Sequence, residues 1–176
     1  MAMTQQISMS QQVGRQAFRL RFLIGAAVSF GLIALAIFFQ HQDDLVPCPL
    51  CIFQRIAFAA TGALFLIGAL WNPASASMRR VAALLTTIPA LIGLGIAGRH
   101  VWLTYLPESE VPKCGPGLEY LMESMPTNSV IRTVLTGSGE CAKVDWRLLG
   151  LSMPEWSLIA FIGLVLWILL TLFRAR

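Results

Sequence analysis

Four long apolar runs, all free of acidic residues, constrain the fold of this chain more than any other feature. They occupy residues 22–39, 51–71, 81–98 and 156–173. A helix that crosses the roughly 30 Å of hydrocarbon in a bilayer needs about 20 residues. The sequence therefore predicts an all-α membrane protein, a bundle of four transmembrane helices at about 22–40, 51–71, 81–103 and 156–173.

The composition agrees with a membrane protein. Of the 176 residues, 56% are hydrophobic and 12% are charged, whereas soluble domains are usually about 45–50% apolar and about 25% charged. A net charge of +4 would suit a nucleic-acid partner only if the cations formed a stripe or patch. They form neither, because nine stand near the ends of the apolar runs and four are spread along the long connection. We therefore expect contact with a lipid bilayer and no nucleic acid.

The first run also has features of a secretory signal peptide, because a basic flank precedes it. It is longer than the apolar part of such a peptide. The small residues Ala34-Leu35-Ala36 lead into further apolar chain rather than into a polar start. An uncleaved transmembrane helix is the better interpretation.

The charges predict the orientation of the bundle. One side carries seven cations and no acid, namely Arg15, Arg19, Arg21, Arg79, Arg80, Arg174 and Arg176. The nine acids all lie on the other side. Because cytoplasmic loops are enriched in Lys and Arg, residues 1–21 and 174–176 are predicted to be cytoplasmic tails of one membrane domain, residues 22–173. The connections 41–50 and 104–154 then face the exterior or the periplasm.

The long connection 104–154 contains two short amphipathic patterns, at residues 118–125 and 130–135. Apolar residues at helical spacing with charges opposite predict short helices lying on the membrane surface. Packing onto the end of the bundle is an equally good explanation. The first 14 residues are polar and show no period, which predicts a mobile tail.

The chemistry is concentrated where the second apolar run begins. Cys48 and Cys51 form a C-x-x-C motif around Pro49, a residue suited to the first position of a helix. Cys48 would then cap the helix and Cys51 would lie in its first turn, where unpaired N–H groups and the helix dipole favour a thiolate. Arg55 follows Cys51 by four residues, on the same face one turn deeper.

A lone C-x-x-C motif is compatible with several sites. Zinc needs four ligands, and the other two cysteines, Cys114 and Cys141, bring no nearby histidine pair, so no metal site is predicted. A structural disulfide across so small a ring would stabilise little. A redox-active dithiol is the favoured interpretation. From the residues alone, Cys114 and Cys141 fit a stabilising disulfide and a second exchange pair equally well.

Three further residues near the predicted exterior ends of helices are candidates. A cation inside the membrane is costly and usually functional, and Arg55 could stabilise charge on Cys51 or on an electron acceptor, although it could also reach the surface. Arg99 and His100 are best explained as helix-end anchors. The acceptor of two electrons needs no sequence motif if it is lipid-soluble, and a quinone meets that description.

Several motifs together resemble the DsbB family of bacterial disulfide bond formation proteins. They are residues 48–55 (CPLCIFQR), Arg99 with residues 103–105 (LTY), residues 138–141 (SGEC), Trp146, residues 149–151 (LGL) and residues 153–156 (MPEW). The resemblance covers about residues 15–173, and the combination is far more specific than any one motif.

The resemblance implies an inner-membrane thiol oxidase that reoxidises a periplasmic thioredoxin-fold oxidase similar to DsbA and passes the electrons to ubiquinone or menaquinone, generating disulfides de novo. It implies two redox-active disulfides, Cys48–Cys51 and Cys114–Cys141. Cys51 would contact the quinone, Arg55 would support its reduction, and Cys114 would be attacked by the reduced partner.

The chain departs from enteric members of that family at two places. It has Gln54 where they have glutamate, and Leu106-Pro107 where they have a histidine, so the role of that histidine does not transfer. Two other functions remain open on sequence. One is an oxidoreductase similar to quinone-epoxide reductases, in which the C-x-x-C motif comes late in the chain. The other is a membrane scaffold or small transporter with two structural disulfides.

Overall fold

The computed structural model describes residues 2–42, 47–107, 109–110, 139–142 and 146–174, with the isolated positions 123, 126 and 128–129. The elements are α1 (Ala2–Gln42), α2 (Pro49–Trp71), α3 (Ala76–Thr104), the one-turn helix α4 (Gly139–Ala142), strands β1 (Arg147–Leu148) and β2 (Leu151–Ser152), and α5 (Met153–Arg174). Among the described residues, four helices are long and apolar enough to cross a membrane: the part of α1 from Gln11, α2, α3 and α5. The predicted four-helix bundle is confirmed.

The bundle is packed in the order α1, α2, α3, α5, and of the neighbouring pairs around this ring α1 and α5 make the weakest contact. Its core is made of aromatic rings set against small residues, with Phe22, Phe65 and Phe161 fully buried. Phe58 of α2 stacks on Phe161 at 3.9 Å between ring centroids. Many large apolar side chains on the outer faces are exposed, as expected for helices that face lipid rather than water. The weak contact between α1 and α5 leaves a groove between them.

Gly93 permits the close approach of α3 to α5. A Cβ atom at this position would lie 2.3 Å from the ring of Phe161. Gly95, two residues on, has nothing within 4 Å of such an atom. A Cβ atom added at Gly98 would make only an ordinary contact, 4.0 Å from Leu158.

Replacing Gly93 by alanine should therefore destabilise the protein by about 1–3 kcal/mol, the usual effect of overpacking a closely packed core. Gly95→Ala is the matched control. It adds the same methyl group to the same helix in open space, and should be neutral or slightly stabilising. Thermal denaturation of both variants in detergent measures the difference. Equal midpoints would contradict the packing described for α3 and α5.

The structure differs from the prediction in two places, at the start of α1 and in the connection before α5. Helix α1 begins at Ala2 rather than near residue 22, so the first residues are helical and not an irregular tail. Gln, Met and Ala favour helices, and no proline interrupts them. Strands β1 and β2 form a small antiparallel hairpin that was not predicted. Its turn residues Leu149 and Gly150 both have positive φ, 55° and 85°, the combination required by a tight hairpin turn.

The two surface helices predicted at 118–125 and 130–135 fall almost wholly outside the described residues. Cys114 lies outside them as well. The link between α2 and α3 is described throughout: Asn72 ends α2 in the left-handed conformation, and Ser75 caps α3. Arg79 is buried there and donates a hydrogen bond to the carbonyl of Ala74 at 2.8 Å, which holds the link against the helix.

Candidate active site

The N-terminus of α2 holds the C-x-x-C pair as the sequence predicted. Cys48 is the N-cap residue, in an extended conformation, and Pro49 is at the start of the helix. The Cys51 backbone N–H donates to Cys48 Sγ at 3.3 Å. That bond satisfies one of the amides that a helix start leaves unpaired. Both sulfur atoms are thereby fixed at the end of the bundle.

The two thiols of this pair have different surroundings. Cys48 donates a hydrogen bond to Cys51 Sγ at 3.0 Å. Its pKa is lowered by a hydrogen bond with Cys141, but the bond to Cys51, burial and the Cys51 charge together raise the pKa to about 12. Cys48 therefore keeps its proton at neutral pH in the dithiol, and its proton is shared with Cys51.

Cys141 lies beside this pair although 93 residues separate it from Cys48 in the sequence. It belongs to α4, which packs on α3. It is 1% exposed, in an apolar cluster with Leu50, Ile96 and Leu103. The ligand atoms of Cys48, His100 and Cys141 all lie within 4.8 Å of one another. A cysteine of the long connection is therefore held within reach of the first pair.

Arg55 is fixed by a residue that the sequence did not identify. Its Nη1 donates to Gln40 Oε1 at 2.6 Å, which joins α2 to the end of α1. The guanidinium lies close enough to Cys51 for a Coulombic interaction. It is thus held between two helices beside the sulfur atom. Nothing in the local pattern around Gln40 relates it to Arg55, since the two are connected only through the fold.

His100 is not a helix-end anchor, the role expected from its position. It is 2% exposed, and its Nε2 lies 3.6 Å from Cys48 Sγ. Its Nδ1 is hydrogen-bonded to the Gln54 side chain at 3.0 Å, and the ring also interacts with the backbone of Cys141. Arg99 places its guanidinium 4.2 Å from the Trp102 ring centre, in keeping with a helix-end role.

A cavity of about 770 Å³ opens beside the cysteine pair. It is lined mainly by apolar side chains of α1, α2 and α5, with Cys48, Cys51, Gln54, Arg55 and His100 at one end. Along α1 the lining runs from Gln40 to Ile24, 16 residues or about 24 Å of helix. A chamber of this size and character suits a small apolar ligand with one polar end.

Aromatic residues form the rim of the cavity. Trp146 packs against Phe39 of α1 at 4.9 Å between ring centroids. Trp156 donates its indole N–H to the carbonyl of Leu148 at 3.1 Å, which fixes the β1–β2 hairpin at the start of α5. The hairpin therefore positions Trp146 at the mouth.

Two of the motifs that carried the family resemblance meet in this structure. Tyr105, at the end of α3, donates to Glu155 Oε1 at 2.6 Å. The other carboxylate oxygen of Glu155 accepts hydrogen bonds from the backbone and hydroxyl of Ser152 at 2.6 and 2.7 Å. The bond to Glu155 raises the pKa of Tyr105. This cluster joins the end of α3 to the start of α5 next to the rim.

Comparison with known proteins agrees with this geometry. The family described as disulfide bond formation protein DsbB matches residues 18–171. Disulfide bond formation protein B of Xanthomonas euvesicatoria pv. vesicatoria (strain 85-10) is 52% identical over 162 residues, covering 92% of this chain and 94% of that protein. The protein of the same name from Xylella fastidiosa (strain 9a5c) is 50% identical over 160 residues, covering 91% and 92%. This chain therefore belongs to the DsbB family of disulfide bond formation proteins.

Proposed function

We propose that this protein is an inner-membrane thiol oxidase that reoxidises a periplasmic DsbA-like thioredoxin-fold protein and passes the electrons to a membrane quinone, either ubiquinone or menaquinone. The observation that carries the proposal is the position of Cys141 beside Cys48, at the polar end of a cavity that also contains Cys51 and Arg55. One side of this site can exchange thiols with a protein, and the other opens along apolar helices.

The exchange begins at the disulfide Cys114–Cys141. A thiolate of the partner attacks Cys114, a mixed disulfide forms, and Cys141 leaves as a thiolate. Cys141 then attacks Cys48 of the Cys48–Cys51 disulfide, and Cys51 leaves as a thiolate. The proximity of the Cys141 and Cys48 sulfur atoms supports this step, because the attack needs only local movement.

The cycle closes with two further exchanges. The second thiol of the partner displaces Cys114, which releases the oxidised partner. Cys114 then attacks Cys141, the Cys141–Cys48 bond breaks, and the leaving Cys48 sulfur takes up a proton, as its raised pKa favours. Cys114–Cys141 is restored, and two electrons have passed to Cys48 and Cys51.

The residues around Cys51 fit a quinone. The apolar walls along α1, α2 and α5 suit an isoprenoid chain, and the polar end suits a ring with carbonyl oxygens. A bound quinone supplies an acceptor for two electrons and two protons. Arg55, held by Gln40, offers a fixed positive charge to an oxygen of that ring, and such a donor is most effective in a dry site. The weak contact between α1 and α5 would allow entry from the bilayer.

The charge distribution supports the proposed orientation. Both termini would be cytoplasmic, and the cysteine site would face the periplasm, because the seven cations without acids lie at the opposite end of the bundle. An oxidising compartment is also where such disulfides persist.

Replacing Arg55 by alanine should lower kcat/KM for quinone by about 100-fold or more, since removing one preorganised donor of an oxyanion site has an effect of that order. Exchange between the cysteine pairs should continue. Steady-state kinetics with varied quinone measure kcat/KM. Trapping of disulfides without quinone measures the exchange between the cysteine pairs. Arg19→Ala, an exposed arginine on α1, is the control. If KM and turnover are unchanged in Arg55→Ala, Arg55 only anchors the end of its helix and has no role in quinone reduction.

A further inference from the structure

Cys48, Cys141 and His100 form a group of possible metal ligands, and thiol exchange requires the two cysteines but not His100. Their ligand atoms lie within 4.8 Å of one another, and Cys51 Sγ is 3.0 Å from Cys48 Sγ. Cys141 and His100 are almost fully buried. Zinc was disfavoured on sequence spacing, because no histidine pair stands near Cys114 and Cys141. The fold supplies a histidine from α3 instead.

The distances suit a tetrahedral metal ion. Bonds of about 2.3 Å from zinc to sulfur and about 2.0–2.1 Å to nitrogen give tetrahedral edges of about 3.6 Å between S and N and about 3.8 Å between two S atoms. The distance from Cys48 Sγ to His100 Nε2 is 3.6 Å. The Cys48 and Cys51 sulfur atoms, 3.0 Å apart, have to separate by about 0.8 Å. Cys51 is not part of the group whose ligand atoms lie within 4.8 Å, so its side chain has to turn toward Cys141 and His100. Three cysteines and one histidine are a common zinc ligand set.

Gln54 provides the support that a metal-binding histidine usually has. Ligating imidazoles almost always hydrogen-bond through their second nitrogen, which fixes the ring. His100 Nδ1 lies 3.0 Å from Gln54 Nε2, leaving Nε2 of the ring on the side of Cys48. In the metal-bound tautomer the Gln54 amide is flipped, so that Nδ1–H donates to its oxygen, and coordination replaces the contact with the Cys141 backbone.

We propose that the fully reduced protein binds one zinc-like divalent cation through Cys48, Cys51, Cys141 and His100. Binding releases to solvent the protons that the three cysteine sulfurs still carry, and it changes no oxidation state. Because each sulfur then donates to the metal, none can attack a disulfide until the ion leaves. Oxidation of either pair removes ligands, so the site exists only in the reduced protein, and zinc or cadmium would hold the enzyme in that state.

The experiment uses Co²⁺ as a spectroscopic probe for the full-length protein in detergent, reduced with a phosphine and free of quinone and partner. We expect one Co²⁺ per chain, with the intense visible bands of a tetrahedral thiolate site, and displacement by Zn²⁺. Because neither quinone nor thioredoxin-fold partner is present, a failure to bind Co²⁺ is distinguishable from a failure of the proposed oxidase function.

Variants of the proposed ligands and of the remaining histidine and cysteine test the ligand set. His100→Gln and Cys141→Ser should each weaken binding by at least about tenfold, while His41→Gln, which alters an exposed histidine at the end of α1, should not. His100→Cys restores a soft ligand and should recover binding, which a purely structural role of His100 would not allow. Cys114→Ser should retain binding.

Oxidising the protein should release the ion. The proposal is overturned if no tetrahedral spectrum forms, or if His100→Gln and Cys141→Ser bind as the unaltered chain does. It is also overturned if Cys114→Ser abolishes the site, since the ion would then lie elsewhere.

Discussion

Replacing Cys51 by alanine should abolish electron transfer from a reduced thioredoxin-fold protein to quinone, with a loss of at least about three orders of magnitude, the scale seen when a covalent nucleophile is removed. Without Cys51, Cys48 has no partner with which to form the disulfide that Cys141 attacks. The helix start would survive, because Pro49 and the Cys48 cap remain.

Quinone absorbance during turnover measures the loss. Ile56→Ala is the matched control, because Ile56 lies on the same helix with 59% of its surface exposed and should leave the rate near that of the unaltered chain. Retention of the full rate by Cys51→Ala would remove this cysteine from the electron path.

A disulfide between Cys48 and Cys141 should form almost completely when a mild oxidant acts on the double variant Cys51→Ala, Cys114→Ala. The two sulfur atoms are within 4.8 Å of each other, and a bond of about 2.05 Å needs only side-chain rotation and a small shift of α4. Mass spectrometry of unreduced peptides identifies the bond.

The matched control retains Cys51 instead of Cys48. In Cys48→Ala, Cys114→Ala, the remaining Cys51 and Cys141 should cross-link more slowly, because in the unaltered chain Cys141 hydrogen-bonds to Cys48, whose other sulfur partner is Cys51. Faster trapping through Cys51 would mean that Cys141 reaches the first pair by a different route from the one proposed.

The sequence was sufficient for the helices because their signal is local. Uniform apolar runs of membrane-spanning length need no knowledge of neighbours, and α2, α3 and α5 begin and end within a few residues of the predicted bounds. The start of α2 was also predictable, because Pro49 after a capping residue is a local signal. The extent of α1 was not, since its polar first turns carry no hydrophobic period.

The arrangement of the site was only partly predictable. Cys48, Cys51 and Arg55 lie on one helix, so their spacing determines their relation. The approach of Cys141 depends on α4 packing over the ends of α2 and α3, which no local pattern reports. His100 was misjudged for the same reason.

Gln40 is a residue whose role the sequence did not reveal. A glutamine at the end of an apolar run looks like an ordinary boundary residue. Its function as the acceptor for Arg55 arises only because α1 and α2 pack against each other. Contacts between helices decide such roles, and the residues that make them carry no distinctive motif.

Electrons should pass from a protein dithiol through this chain to quinone. To measure this, the purified protein in detergent, with a metal chelator, is mixed with ubiquinone or menaquinone and a reduced thioredoxin-fold protein, and quinone absorbance and partner thiols are followed together. We expect one quinone to be reduced for each disulfide formed in the partner. If neither quinone is consumed while the partner stays reduced, the cysteines are structural and the proposed function is wrong.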